Sequence, residues 1–211
     1  MAPLWTCLIL CAGVTLGCLS FGGGGRIAGS SIDDQEDECP DIIDRSVWHA
    51  RAPKDTTRMK NIPKYVLIHH GGTPPGCTSQ KECEKVIKSY QKTHMVDEGW
   101  DDIAYHFLVG EDGNVYEGRG WGVNGAHSGS TYYNLNSLGI CVIGDFRNTV
   151  PNLKAQKKVK QLISCAVSEN RLKSNYKLGG HRDVNKNTTC PGQSFYDLIK
   201  TWDRYYLLPH M

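Results

Sequence analysis

The first 25 residues contain no lysine, arginine, aspartate or glutamate. Residues 4–19 are mostly apolar, and the small residues Gly17, Cys18 and Ser20 lie at the end of this run. The pattern is typical of a secretory signal peptide, although the usual basic side chain at its start is also missing. The alternative is a signal anchor, but the run is at the short end of the roughly 17–25 residues that a spanning helix needs. We expect residues 1–20 to be a cleaved signal peptide and the protein to be secreted, extracellular.

Other absences exclude whole classes of function. The chain has no glycine-rich phosphate-binding loop and no HExxH motif, so neither a phosphate-loop enzyme nor a thermolysin-like protease is supported. The net charge is only +2, and no basic run with interleaved aromatics occurs, so we expect no nucleic acid partner. No later segment is apolar enough to span a membrane, and no repeat is present. A chain of 211 residues suits one domain plus extensions, and we expect a monomer.

The mature chain has two parts. Residues 21–38 are glycine-rich and then acidic, with few large apolar side chains, which predicts a flexible leader. The domain is predicted to span residues 39–211. Six cysteines remain in it, and six fully paired cysteines allow 15 connectivities. They are Cys39, Cys77, Cys83, Cys141, Cys165 and Cys190.

Local patterns predict an α/β fold, a single domain with a central mixed β-sheet flanked by three α-helices. The apolar, β-prone run Tyr65–His70 stops at two glycines and predicts a buried strand. Residues 101–116 predict a β-hairpin in which Tyr105, Phe107 and Val109 face the same side. Residues 138–143 predict another strand. Helices are predicted after the capping-box sequence that begins at Ser79, over residues 152–172, and over residues 195–202.

The segment 178–192 carries the chemistry that most needs explaining. No apolar period runs through it, so it is predicted to be a loop that holds His181 and Cys190. With His69 at a strand end, these residues make two imidazoles and one thiolate, the protein ligand count of a catalytic zinc site. A Cys190 nucleophile with His181 as base is a second option, but a free thiolate would tend to oxidise in an oxidising compartment. A Cys190 disulfide, with Cys141 as one partner, is the third.

The same segment contains one N-glycosylation sequon, at Asn187-Thr188-Thr189. A bulky glycan inside the candidate site would hinder a substrate. We therefore expect the sequon to be unoccupied.

The order of the motifs resembles the animal peptidoglycan recognition proteins, which are similar to bacteriophage N-acetylmuramoyl-L-alanine amidases. The resemblance covers about residues 39–207. Its most specific parts are YHFLVGEDGNVYEGRGW at 105–121 and GHRDV with CPG at 180–192; the others are YVLIHH at 65–70, GCTSQKEC at 76–83, GAHS at 125–128 and LGICVIGDF at 138–146.

The resemblance implies a mixed sheet with three helices and a peptidoglycan-binding groove on one face. It implies Zn2+ bound by His69, His181 and Cys190, with Tyr105 as a further catalytic residue. It also implies the disulfides Cys77–Cys83 and Cys39–Cys165, which leave Cys141 free. Thr188 occupies the place of a lysine in the phage enzymes and is assigned a weaker polar role in catalysis. The candidates for substrate binding in the groove are His70, Trp100, Arg119, Trp121 and His127.

The implied activity is that of a secreted zinc amidase that hydrolyses the lactyl–L-alanine amide of bacterial peptidoglycan in innate immunity. The alternative is a non-catalytic protein that only binds muramyl peptides. One departure from the family concerns the spacing from His181 to Cys190, which is one residue longer than the family implies. The loop is therefore expected to bulge around residues 185–187.

Overall fold

The structure is a computed structural model that describes residues 39–73 and 76–211. The predicted signal peptide (1–20) and leader (21–38) lie outside these residues. Within the described part of the chain, no helix is long and apolar enough to cross a membrane.

One six-stranded mixed sheet organises the domain, in the order β1-β4-β3-β5-β2-β6. Strands β3 and β4 form the predicted antiparallel hairpin, and the other neighbouring strands pair in parallel. The strands are β1 (Ile42–Ile43), β2 (Tyr65–His70), β3 (Phe107–Val109), β4 (Val115–Glu117), β5 (Ser137–Val142) and β6 (Lys177–Gly180). The helices are α1 (Gln80–Lys92), α2 (Thr131–Asn136), α3 (Leu153–Ser168), α4 (His181–Val184) and α5 (Gln193–Ile199). The predicted fold class is confirmed.

Two helices begin with the local signals that the sequence carries. The Glu82 carboxylate accepts the backbone N–H groups of Thr78 and Ser79 at 3.1 and 3.2 Å, which completes the capping box of α1. The Asn152 side chain accepts the backbone N–H of Ala155 at 2.9 Å and caps α3. The three predicted helices are present, and α5 ends before Trp202. The short helices α2 and α4 were not predicted.

The prediction that residues 178–192 are all loop is wrong in its first half. Leu178, Gly179 and Gly180 pair in parallel with β2, and α4 follows at once. Position 179 favours glycine because a Cβ atom there would lie 2.8 Å from the Leu208 side chain and 2.9 Å from the Asp183 carboxylate. With glycine in place of large apolar residues, β6 lacks the sequence pattern that predicts a strand. The loop proper covers residues 185–192.

The two faces of the sheet carry separate apolar clusters. One, with α3 and α5, includes Phe107 and Val109; the other, with α1, includes Leu108, and Tyr105 packs against it. Tyr105 therefore lies on the face opposite to Phe107 and Val109, contrary to the predicted alternation. The strand starts only at Phe107, so its alternation of faces does not extend back to residue 105.

The two disulfides that the family resemblance implies are present. Cys77 pairs with Cys83 across the start of α1, and Cys39 pairs with Cys165 of α3. Cys141 and Cys190 are both free and buried. Cys190 is thus not engaged in a disulfide with Cys141, and that alternative is not realised.

Candidate metal centre and groove

Three ligand side chains meet at the carboxyl ends of β2 and β6. One potential ligand atom from each of His69, His181 and Cys190 lies within 4.8 Å of the other two. His69 comes from the central strand β2, His181 from the first position of α4 after β6, and Cys190 from the loop that follows. Because β2 and β6 are parallel neighbours, their carboxyl ends bring His69 and His181 together. The Cys190 Sγ atom lies 3.8 Å from His69 Nδ1.

A chain of hydrogen bonds fixes which nitrogen of His69 is free. The Ser137 hydroxyl donates to the Tyr133 carbonyl at 2.6 Å, so it can only accept from His127 Nε2 at 3.5 Å. His127 Nδ1 is then unprotonated and accepts from His69 Nε2–H at 2.9 Å. His69 Nδ1 is left bare and faces Cys190. This is the arrangement of a metal-binding histidine, whose other ring N–H is held by a neighbouring acceptor.

His181 and Cys190 are oriented by backbone groups. His181 Nε2 lies 3.2 Å from the carbonyl of Ser128, to which it donates, so Nδ1 is its free nitrogen. The backbone N–H of His70 points at Cys190 Sγ at 3.4 Å, a contact that stabilises negative charge on sulfur. Two bare imidazole nitrogens and one sulfur supported by an N–H match the donors that zinc prefers. The residues present therefore fit a zinc ion.

The electrostatics disfavour the thiol-nucleophile alternative. Burial raises the pKa of the Cys190 thiol to about 12, with a smaller opposing effect of the His70 N–H. Burial also lowers the pKa of His181, to about 4, so His181 is neutral at pH 7. A free thiolate paired with a protonated histidine is therefore not favoured in the metal-free protein. A neutral imidazole remains suited to binding a metal.

The two predicted catalytic residues contact different members of the cluster. The Tyr105 ring centre is 5.2 Å from that of His69, and burial raises the pKa of its hydroxyl well above the ordinary value. The phenol therefore keeps its proton at neutral pH. Thr188 Oγ1 accepts the backbone N–H of Cys190 at 3.1 Å, so its oxygen helps to shape the loop around the sulfur.

A cavity of about 650 Å³ adjoins the cluster at His181. Trp100, Arg119 and His127 line it, so three of the five predicted groove residues are at its wall. The Arg119 guanidinium donates to the carbonyl oxygens of Ile103 and Asn124 at 2.7 and 3.0 Å, which fixes its orientation. His127 lines the groove and also contacts His69 through its Nδ1 atom. Its ring therefore lies between the groove and this candidate zinc ligand. The remaining lining residues are Asp55, Thr57, Asp101, Asn124, Gly125, Ala126, Gly129, Thr131, Asn134, His181 and Asn185.

His70 and Trp121 do not line this cavity. The His70 side chain is buried and accepts the backbone N–H of Phe146 at 3.1 Å; only its backbone reaches Cys190. Trp121 packs on Phe107 with ring centres 4.3 Å apart, and the Arg171 guanidinium covers it. Both side chains thus belong to the packing of the domain rather than to the groove wall.

His94 is a residue that the sequence interpretation missed. It lies in a π-helical turn, Thr93–Asp97, that continues α1, and its ring stacks on Trp100 at 5.0 Å with planes 10° apart. It also contacts the Tyr105 ring at 5.7 Å. The row Trp100–His94–Tyr105 thus leads from the groove to the ligand cluster. A π-helical turn, which is often found near functional sites, has no simple sequence signal.

Known proteins share both the sequence and the fold. The family model described as N-acetylmuramoyl-L-alanine amidase matches residues 58–193. Peptidoglycan recognition protein 1 of Rattus norvegicus is 41% identical over 169 residues, which cover 80% of this chain and 91% of that protein. The structure of wild-type Drosophila PGRP-LB is similar with a TM-score of 0.77 and 37% identity, covering 82% of this chain and 99% of that one.

The structure of peptidoglycan recognition protein-LE in complex with tracheal cytotoxin, a monomeric diaminopimelic acid-type peptidoglycan, is also similar. Its TM-score is 0.76 at 38% identity, covering 79% of this chain and 96% of that one. The amidase model spans more than half of the sequence, and the sheet, the helices and the disulfides agree with what the motifs implied. This chain therefore belongs to the peptidoglycan recognition proteins, a family that shares its domain with the N-acetylmuramoyl-L-alanine amidases.

Proposed function

We propose that the protein is a secreted, zinc-dependent N-acetylmuramoyl-L-alanine amidase that acts on bacterial peptidoglycan in innate immunity. The observation that carries the proposal is the convergence of His69 Nδ1, His181 and Cys190 Sγ within 4.8 Å, beside a cavity lined by Trp100 and Arg119. Two relatives support the substrate class: one is named a peptidoglycan recognition protein, and the other was solved with a monomeric peptidoglycan. The two disulfides agree with folding in an oxidising, extracellular compartment.

His69, His181 and Cys190 would hold the zinc ion. When bound, zinc supplies Lewis acidity that activates water and polarises a carbonyl group. The scissile bond is the amide between the lactyl group of the muramyl sugar and L-alanine. Neutral His69 and His181 keep their bare nitrogens directed at the ligand position because His127 and the Ser128 carbonyl hold their opposite nitrogens.

We assign Tyr105 a role at the reacting amide. Its hydroxyl remains protonated and its ring lies against His69, and in this role the hydroxyl would donate to the oxygen on which negative charge develops. A well-placed donor of this kind contributes roughly 3–4 kcal/mol to transition-state stabilisation. Trp100 offers an aromatic face for a sugar or peptide, and Arg119 offers remaining N–H groups for a stem-peptide carboxylate.

The decisive experiment measures metal content and product together. Purified protein is analysed for zinc and incubated with a soluble muramyl peptide, and the released stem peptide is quantified by mass spectrometry. The proposal predicts one zinc per chain and release of a peptide with a free L-alanine amino group. Binding of the muramyl peptide without zinc and without release would establish the non-catalytic alternative instead.

A further inference from the structure

The loop that follows α4 presents two asparagines in opposite directions. Asn185 turns inward: it lines the cavity, and its side-chain amide lies 3.5 Å from the Ser128 carbonyl. Asn187 is exposed, and its backbone N–H donates to the Asn185 side-chain oxygen at 2.9 Å. This short turn explains how two residues so close along the chain face different surroundings.

The side chain of Asn187 is free to react. Among the described residues, it makes no hydrogen bond that would have to be broken. Thr189, which completes the sequon, is also exposed. Residues 186–189 do not line the cavity, so the steric reason for expecting an empty sequon is not supported by the structure.

We propose that Asn187 carries an N-linked glycan that stands outside the cavity at its rim. The donor would be a lipid-linked oligosaccharide diphosphate in the secretory pathway. A bond forms between the sugar C1 atom and Asn187 Nδ2 as the C1–oxygen bond to the diphosphate breaks. Nδ2 loses one proton, and the lipid diphosphate leaves with the electron pair of the broken bond.

The position of this glycan has a consequence for substrate size. Asn187 is three residues from Cys190, so the two Cα atoms are at most about 11 Å apart at 3.8 Å per residue. We expect a soluble muramyl peptide to occupy the cavity of about 650 Å³ without reaching the glycan. The further strands of polymeric peptidoglycan would extend past the rim and meet it. The glycan therefore selects fragments over intact polymer, an inference that rests on the proposed peptidoglycan binding.

Occupancy is tested on the full chain expressed with its own N-terminus in secretory eukaryotic cells. Peptide N-glycosidase treatment in heavy-oxygen water should mark Asn187 in a tryptic peptide, and intact mass should fall by the mass of one glycan. The Thr189→Ala variant should lose the glycan while Asn187 is retained, and Thr189→Ser should keep it. An unmodified Asn187 in the secreted protein, or retention of the protein in the cytosol, would overturn the proposal.

The size selection is tested by binding, which does not require catalysis. Glycosylated wild type is compared with Thr189→Ala for sedimentation with insoluble peptidoglycan and for affinity to a soluble muramyl peptide. Loss of the glycan should strengthen binding to the polymer severalfold and leave fragment affinity unchanged. Equal affinities for the polymer in the two forms would overturn size selection. If neither form binds either ligand, the proposed function fails while the occupancy result stands.

Discussion

The Nε2 atom of His69 lies 2.9 Å from the Nδ1 atom of His127, and both rings are buried. A ligand histidine is thus held by a second neutral histidine, where many metal sites use a carboxylate. The advantage of an uncharged partner is that no negative charge is buried behind the ligand. The orientation of His69 then depends on an acceptor at the position of His127 Nδ1.

Removing this acceptor should weaken zinc binding. We expect His127→Leu to lower zinc affinity by about 10–100-fold, the usual effect of losing a partner of a metal-binding histidine. Competition with a chromophoric chelator measures it. The matched variant His127→Asn places an oxygen near the former Nδ1 atom and should restore much of the affinity. Equal zinc affinity in wild type and His127→Leu would contradict the role given to this pair.

Replacing either of the two free cysteines should have very different effects on zinc content. Cys190→Ser should lose both zinc and amide hydrolysis, because it removes the one sulfur of the cluster that His69, His181 and Cys190 form among the described residues. Cys141→Ala is the control, since Cys141 is also free and buried but is not part of the ligand cluster. It should keep its zinc, as measured by metal analysis after gel filtration. Hydrolysis by Cys190→Ser at the wild-type rate would refute the ligand assignment.

Substitutions at Gly71 and Tyr90 should have non-additive effects on the free energy of unfolding. A Cβ atom at residue 71 would overlap the Tyr90 hydroxyl, and it would lie 2.6 Å from the ring carbon that bears it. We expect Gly71→Ala to lower the free energy of unfolding by about 1–3 kcal/mol, as overpacking does. Tyr90→Val should remove most of that penalty in the double variant. Urea unfolding of the four proteins gives the coupling energy, and strict additivity would show that the two sites do not interact.

Buried His106 should make the domain less stable in mild acid. Burial lowers its pKa to about 4, against the opposing effect of the hydrogen bond that His106 Nε2 donates to the Val123 carbonyl at 2.8 Å and with a smaller contribution from the nearby Arg119. Between pH 6.5 and about 4 the unfolded state binds a proton that the folded state does not, so stability falls as pH falls. In His106→Asn the slope of unfolding free energy against pH should be shallower, by up to about 1.4 kcal/mol per pH unit. The ring of His127 also faces His106, so a residual slope should remain.

Patterns that act over a few residues could be predicted from sequence. The capping box at Ser79 and the strand Tyr65–His70 depend on neighbours along the chain, and both are present. The prediction that His70 lines the groove could likewise have been rejected from a local pattern of the sequence. Successive side chains of a strand point to opposite faces, so His69 and His70 cannot both face one site.

Features that depend on backbone shape could not be predicted. Trp121 lies between Gly120 and Gly122, whose φ angles of 73° and 68° turn the chain twice and direct the indole to Phe107. No alternation or helical period survives such turns. The stack of His94 on Trp100 likewise depends on a π-helical turn. Residue types alone made His69, His181 and Cys190 one candidate ligand set among alternatives. The family resemblance was needed to choose it, because His69 and His181 meet through the pairing of β2 with β6, which their spacing along the chain does not reveal.

The C-terminal end of the loop that carries Cys190 is fastened to α4. The Cys190 carbonyl accepts the Arg182 backbone N–H at 3.0 Å, and the Arg182 guanidinium donates to the Thr189 carbonyl. We therefore expect a change in loop length to be absorbed around residues 185–187, upstream of these anchors, so that the sulfur stays in place. Lengthening a loop by one residue adds little closure entropy. Natural insertions and deletions at this apex should be nearly neutral for metal binding, which leaves its surface free to diverge among family members.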